Sequence, residues 1–204
     1  MVVCTMATKE YSLQARLNIR NDYDRLLKTY NRIVKLMINR TLIDIGAENE
    51  GFVRTCNASG LYATSLDYPE FDAEVDKFKQ PDNSIDYITL NSVIEHLAEP
   101  YNIIKEINRI LVPGGYVFIR TTNFQLDYRN FYNDVTHKKP YTPYSLNMLL
   151  ELYDFEVVYN EPGLICKSKI WNKLPLKWRI ASLIKGGSKS IIIVGKKKEL
   201  SNGN

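Results

Sequence analysis

The sequence predicts an α/β domain with a doubly wound, seven-stranded and mostly parallel sheet, preceded by N-terminal helices. Three observations predict it. Short β-rich runs alternate with amphipathic helical stretches along most of the chain, the pattern of a parallel sheet covered on both faces. The first run, Thr41-Leu-Ile-Asp-Ile-Gly46, is apolar and ends on glycine, as a buried parallel strand meeting a turn does. The second run ends on an acid, Asp67, the spacing of a nucleotide-type site at the first two strands.

The elements follow in order. Residues 9 to 39 carry Tyr11, Leu17, Leu26, Leu27, Tyr30, Ile33 and Val34 near helical spacing, and predict two helices with a break near Asn18 to Asp22. Residues 1–40 form this N-terminal helical segment, and 41–200 the α/β body of the same domain. Gly51 to Ala58 reads as a short helix, Leu61 to Leu66 as the second strand and Ala73 to Phe78 as a weaker third. Pro81-Asp-Asn-Ser84 is a turn, and Ile85 to Leu90 the fourth strand. From Glu99 to Leu111, Ile103, Ile104, Ile107 and Ile110 mark one helical face, which Pro113-Gly-Gly115 terminates. Tyr116 to Arg120 is the fifth strand. After a polar and aromatic segment, Tyr144 to Tyr153 is helical, and Phe155 to Tyr159 and Ser190 to Val194 are the last strands. Between those, the apolar stretch Ile170 to Ile184 reads as helical after Pro175 and packs Trp171, Leu174 and Trp178 onto the sheet.

Composition limits the functional classes. A chain of 204 residues with 45% hydrophobic content suits one core. The net charge of +4 is mild and gathers late, at Lys185, Lys189 and Lys196 to Lys198, where a solvated tail is the plain reading. Cys4, Cys56 and Cys166 are odd in number, widely spaced and form no CxxC pair, which argues against a disulfide framework or zinc site. No apolar run approaches the roughly 20 residues of a membrane span, and Met1 to Met6 is too short for a leader. A cytoplasmic protein with no membrane span is expected.

In an open parallel sheet, ligands bind beyond the carboxyl ends of the strands. Asp44, Gly46 and Asp67 fall there. Glycine in the first turn allows close backbone approach, and the later acid can accept from ribose hydroxyls. Alternatively, Gly46 serves only a tight turn and Asp67 caps the next helix.

The middle of the chain is more specific. Pro81-Asp-Asn-Ser-Ile-Asp86, Glu95-His-Leu97, Pro100 and Arg109-Ile-Leu-Val-Pro-Gly-Gly115 occur in that order. Asn133-Asp-Val-Thr-His137, Tyr141-Thr-Pro-Tyr-Ser-Leu146 and Phe155-Glu-Val-Val158 follow. Over about residues 40 to 160 these blocks resemble the class I S-adenosylmethionine-dependent methyltransferases, in particular a group found with glycan and surface-polysaccharide biosynthesis. Ser190-Ile-Ile-Ile-Val-Gly-Lys196 is similar to that fold's last, antiparallel strand.

The resemblance implies S-adenosylmethionine as cofactor. Asp44, Gly46 and Ala47 would line its methionine end. Asp67 would take the ribose hydroxyls, with Tyr68 beside the adenine and Asp76 and Lys77 at the adenine edge. Asn91 and Ser92 would face the sulfonium. Methyl transfer asks mainly for alignment of the acceptor, plus a base where a hydroxyl loses its proton. His137 is the candidate base, with Asp134 to orient it; a structural role for His137 is the alternative. His96 is expected to pack over the cofactor loop. Some related quinone methyltransferases bind a metal in this region, but Ser92 stands where a further acid would be expected, so no metal is predicted.

The cofactor loop departs from the family pattern. Asp-x-Gly-x-Gly-x-Gly is the usual form, whereas Glu48 and Glu50 occupy the two later glycine positions here. Either the two side chains point outward, with Gly51 taking over the turn, or cofactor binding is weakened or lost. The expected function is therefore O-methylation of a small molecule or glycan intermediate, and the alternative is a degenerate member that binds a ligand or partner. Motifs of base-methylating enzymes, such as Asn/Asp-Pro-Pro-Tyr, are absent, so no nucleic-acid partner is expected. Phe124, Tyr128, Phe131, Tyr132, Tyr141 and Tyr144, with Arg120, Arg129, Lys138 and Lys139, suggest an acceptor pocket, or in part the core beneath a long loop.

Overall fold

The computed structural model describes residues 13–48, 50–162 and 189–199. The predicted helix at 170–184 with Trp171 and Trp178, together with Lys185, Cys4 and Cys166, lies outside them. The chain runs α1 (Leu13–Val34), β1 (Thr41–Ile45), α2 (Gly51–Ala58), β2 (Tyr62–Leu66), β3 (Ile85–Asn91) and α3 (Tyr101–Ile110). It continues with β4 (Leu111–Thr122), α4 (Phe124–Asp127), α5 (Pro143–Leu152), β5 (Phe155–Pro162) and β6 (Ser190–Lys197). A single sheet takes the order β2-β1-β3-β4-β6-β5. β2, β1, β3 and β4 are mutually parallel, and β6 runs antiparallel between β4 and β5. The antiparallel last strand agrees with expectation.

The order reverses at β1, because β2 lies on one side of it and β3 on the other. In open parallel sheets such a reversal, beyond the carboxyl ends of the strands, is where ligands bind. Apolar residues fill both faces of the sheet. Ile43, Ile88, Val117 and Ile119 pack against Ile103, Ile104 and Ile107 of α3 and Leu146 and Leu150 of α5. Leu42, Tyr87 and Phe118 pack on the other face against Leu26, Leu27 and Tyr30 of α1 and Phe52 and Cys56 of α2. The two-residue alternation of each strand thus divides one sheet between two cores.

Helix ends are closed by specific contacts. Thr142 and Ser145 form a reciprocal capping box at the start of α5, with Pro143 at the first helical position. Beyond α3, Lys197 Nζ donates to Asn108 O at 2.6 Å and Leu111 O at 2.9 Å, satisfying carbonyls a helix terminus leaves open.

Two expectations are corrected. The weak strand at Ala73 to Phe78 is a turn, so the sheet has six strands among the described residues. Asp76 accepts a hydrogen bond from the Asp72 amide at 2.8 Å, and Phe71 stacks on Phe78 at 4.8 Å, which curls this acid-rich segment back on itself. The break near Asn18 to Asp22 does not occur, because α1 is continuous and Lys35, at φ 49°, marks its end. Finally, the segment after β4 contains α4 and a single 3-10 turn, Phe131–Asn133.

Candidate active site

A row of polar side chains crosses the carboxyl ends of the central strands on the α1 face. Asp44 is nearly inaccessible and accepts from Thr89 Oγ1 at 2.5 Å and Asn91 Nδ2 at 3.0 Å. Burial pushes its carboxyl pKa up to about 6, against the lowering effect of those two hydrogen bonds. Tyr30, fully buried in α1, donates its hydroxyl to Asn91 Oδ1 at 2.6 Å. Burial likewise raises the Tyr30 pKa, so it stays a neutral donor. Both ends of the Asn91 amide are thereby fixed, which assigns its oxygen toward α1 and its nitrogen toward Asp44. The sequence reading missed Thr89 and Tyr30, because each sits inside a run explained by core packing alone.

The loop after β1 resolves the question of its two glutamates. Glu48 and Glu50 adopt φ of 44° and 55°, the left-handed conformation that glycine reaches without strain. Both are exposed, and Glu50 reaches Arg54 at 3.7 Å. The loop has turned its carboxylates to solvent, as the first of the two readings required, but Gly51 does not take over the turn: Glu48 and Glu50 adopt the left-handed backbone themselves, and Gly51 opens α2. Gly46 takes φ 72°, and a Cβ there would overlap the Val93 side chain. Thus the backbone at Gly46 lies as close to the segment after β3 as a side-chain-free residue allows.

Asp67 follows β2 and faces the same loop. Its Oδ2 accepts from the Glu48 amide at 2.9 Å and its Oδ1 from the Tyr68 amide at 2.9 Å. The carboxylate is held at the loop rim and remains partly accessible, rather than capping a helix. Ala47 is partly buried beside it, and Tyr68 is 68% exposed. Asp76 and Lys77 lie in the turn beyond β2, with the Asp76 carboxylate engaged by the Asp72 amide and Lys77 exposed. Ser92, at φ 58°, follows Asn91 and donates its amide to Arg120 O at 2.8 Å. Asp44, Gly46, Ala47, Asp67, Asn91 and Ser92 therefore gather at the carboxyl ends of β1, β2 and β3, at the strand-order reversal. Such a cradle, with a close-approach glycine and a partly open carboxylate at its rim, fits an adenosyl cofactor.

A second group forms across the sheet, where the 3-10 turn Ile94–His96 meets the loop after α4. His137 Nδ1 lies 2.7 Å from Phe131 O. A carbonyl can only accept, so Nδ1 carries the proton and the neutral ring presents Nε2 as a base. Asp134 does not orient it as expected, for its Oδ2 stands 3.8 Å from His137 Nε2. Instead Asp134 accepts from Thr136 Oγ1 at 2.6 Å and the Thr136 amide at 2.9 Å. These two bonds hold its carboxyl below the usual range. Thr136 Oγ1 in turn meets His96 Nδ1 at 2.9 Å. The carboxylate expected behind His137 thus supports His96, by way of a threonine.

Glu95 is buried and accepts from Thr121 Oγ1 at 2.8 Å. One ligand atom each from Glu95, His96 and His137 lies within 4.8 Å of the others. Among the described residues, these three side chains could hold a metal ion, although Ser92 supplies no further acid. The aromatic segment divides as its alternative readings foresaw. Phe131 and Tyr141 are buried, whereas Tyr128, Tyr132 and Tyr144 are exposed. A separate groove of about 480 Å³, lined by Tyr101, Lys139, Tyr141, Met148 and Leu152, contains none of the residues at the strand-order reversal.

Comparison with known proteins places this geometry. Residues 15–160 match the methyltransferase-domain family model Methyltransf_23. Over 95 residues the chain is 30% identical to the ubiquinone biosynthesis O-methyltransferase of Colwellia psychrerythraea, covering 45% of this chain and 36% of that protein. Its counterpart from Burkholderia thailandensis is 27% identical over 97 residues, covering 44% and 41%. The chain thus matches about two fifths of the length of these relatives. A SAM-dependent methyltransferase from Archaeoglobus fulgidus superimposes with a TM-score of 0.64 at 23% identity, covering 87% of this chain and 94% of that one. Haemonchus contortus phosphoethanolamine N-methyltransferase 2, in complex with S-adenosyl-L-methionine, gives 0.61 at 15% identity, covering 88% and 53%. With strand order and family model in agreement, the chain belongs to the class I, S-adenosylmethionine-dependent methyltransferase family.

Proposed function

We propose that this protein transfers the methyl group of S-adenosylmethionine to an oxygen of a small-molecule or glycan-type acceptor. The observation that carries the reading is the loop after β1. Its glutamates sit in glycine-like backbone and face outward, so neither carboxylate opposes that of the cofactor. Asp44, Gly46 and Ala47 would line the methionine end, and Asp67 the ribose, with Tyr68 over the adenine and Asp76 and Lys77 at its edge. Asn91 and Ser92 would face the sulfonium. The cofactor supplies an already activated methyl group, which leaves the protein to align the acceptor and remove its proton. His137 Nε2 is the base in this scheme.

Oxygen as the accepting atom is supported by the names of the curated relatives, which are O-methyltransferases. A glycan acceptor is supported by the Asn133 to Leu146 motif resemblance. Titration calorimetry with S-adenosylmethionine and S-adenosylhomocysteine tests the reading. Micromolar binding of both is expected, and no binding at millimolar concentration would overturn it. Replacing His137 by Ala should slow methyl transfer by about a hundredfold or more while cofactor affinity is unchanged.

A further inference from the structure

Arg120 stands near the carboxyl end of β4, and its Nε has no hydrogen-bond partner among the described residues. The register sets it beside Asn91 of β3 and Ile192 of β6. Along β4, Val117 and Ile119 enter the core beneath α3, while Phe118 enters the core beneath α1. Alternation therefore directs Arg120 to the α1 face, and its positive charge acts on the Tyr30 hydroxyl. Its Nε is shut off from solvent and finds no acceptor among the described residues, and none of their carboxylates pairs with it.

Among the described residues, the neighbours do not take that role. The Asn91 amide is committed at both ends, to Tyr30 and to Asp44. Asp44 Oδ1 already accepts from Thr89 and Asn91. Lys189, near the start of β6, has its own partner in Asp127 at 3.0 Å. In sequence, residues 162–198 carry many Lys and Arg and no Asp or Glu. A half-buried guanidinium with a dry, unpaired Nε is costly to leave unsatisfied. Its fork matches a carboxylate or phosphate in bidentate fashion.

We propose that Arg120 is an anion subsite of the transfer crevice, which binds a carboxylate-class group beside the Asn91 end of the sulfonium site. The proposal rests on reading this crevice as the methyl-transfer site. Two molecules can bring such a group, the cofactor with its methionine carboxylate or an acidic acceptor. Arg120 is in either case a specificity-determining residue.

Calorimetry on the wild type, Arg120→Gln and Arg120→Lys, each verified as folded by circular dichroism, separates the sources. Three probes are used: S-adenosylmethionine, its decarboxylated analogue, and sodium benzoate added to protein saturated with S-adenosylhomocysteine. If the cofactor is the source, R120Q binds S-adenosylmethionine about tenfold or more weakly, and the decarboxylated analogue unchanged. If the acceptor is the source, cofactor affinity holds and R120Q loses benzoate by a similar factor. R120K, which keeps the charge without the fork, falls between in both cases. Equal affinities of wild type and R120Q for all three probes overturn the proposal. Should the wild type bind no S-adenosylmethionine, the cofactor reading fails by itself. Benzoate added to the cofactor-free protein then still reports on Arg120.

Discussion

Tyr30 donates its hydroxyl to Asn91 Oδ1 at 2.6 Å across a sequence separation of 61 residues. This bond ties the N-terminal helix to the carboxyl end of β3, within the proposed cofactor site. The ring packs against Phe118 at 4.6 Å and Phe52 at 6.0 Å, so the hydroxyl can be removed while the packing stays. Tyr30→Phe should cost about 1 kcal/mol in stability and weaken S-adenosylmethionine roughly three- to tenfold, because the Asn91 amide loses one of its two restraints. Thermal melts and calorimetry check both, and an unchanged affinity would sever α1 from the site.

Asp44 makes stability depend on pH in a definite direction. Burial raises its pKa in the fold to about 6 from an ordinary 3.8. A raised pKa stabilises the fold fully below the ordinary value, and that contribution is lost as pH rises through about 6. The difference amounts to roughly 3 kcal/mol. Asp44→Asn should therefore gain stability relative to wild type between pH 4 and pH 7, as followed by urea denaturation. A pH-independent difference between the two proteins would contradict the assignment.

The two glutamates of the cofactor loop should matter to stability more than to binding. Glycine removes the left-handed strain at φ 44° and 55°, which is of the order of 1 kcal/mol per site. Glu48→Gly with Glu50→Gly should raise the melting temperature and leave cofactor affinity within about threefold. An affinity gain above about tenfold would mean that the side chains obstruct the site after all.

Gly46 is held by two separate constraints, its φ of 72° and the Val93 side chain that a Cβ would overlap. Gly46→Ala should destabilise by roughly 1 to 3 kcal/mol and abolish measurable cofactor binding. Adding Val93→Ala should recover the steric part and leave the conformational part. Chemical denaturation of the four proteins in this cycle reads the coupling, and strict additivity would rule out contact between the two positions.

Much of the fold was legible in the sequence, since buried parallel strands are continuous apolar runs and α3 carries Ile103, Ile104, Ile107 and Ile110 on one face. The strand expected at Ala73 to Phe78 failed because local contacts prevailed there. The Asp76 carboxylate closes a turn onto the Asp72 amide and leaves Val75 exposed. Position in a motif was enough to set Asp44, Gly46, Asp67 and Asn91 at the carboxyl ends of neighbouring strands. It gave no access to orientation. The partner of Asp134 proved to be Thr136 and, through it, His96 rather than His137.

The sequence alone determined the alternation of strands and helices, the family, and which residue types would stand at the carboxyl ends of the strands. Those follow from periodicity and spacing, which are properties of the chain taken in order. Only the tertiary structure decided that Glu48 and Glu50 keep a glycine-like backbone, that Tyr30 reaches Asn91, and that Arg120 Nε finds no acceptor among the described residues. Each of these depends on directions in space between segments dozens of residues apart, and a linear pattern does not specify directions.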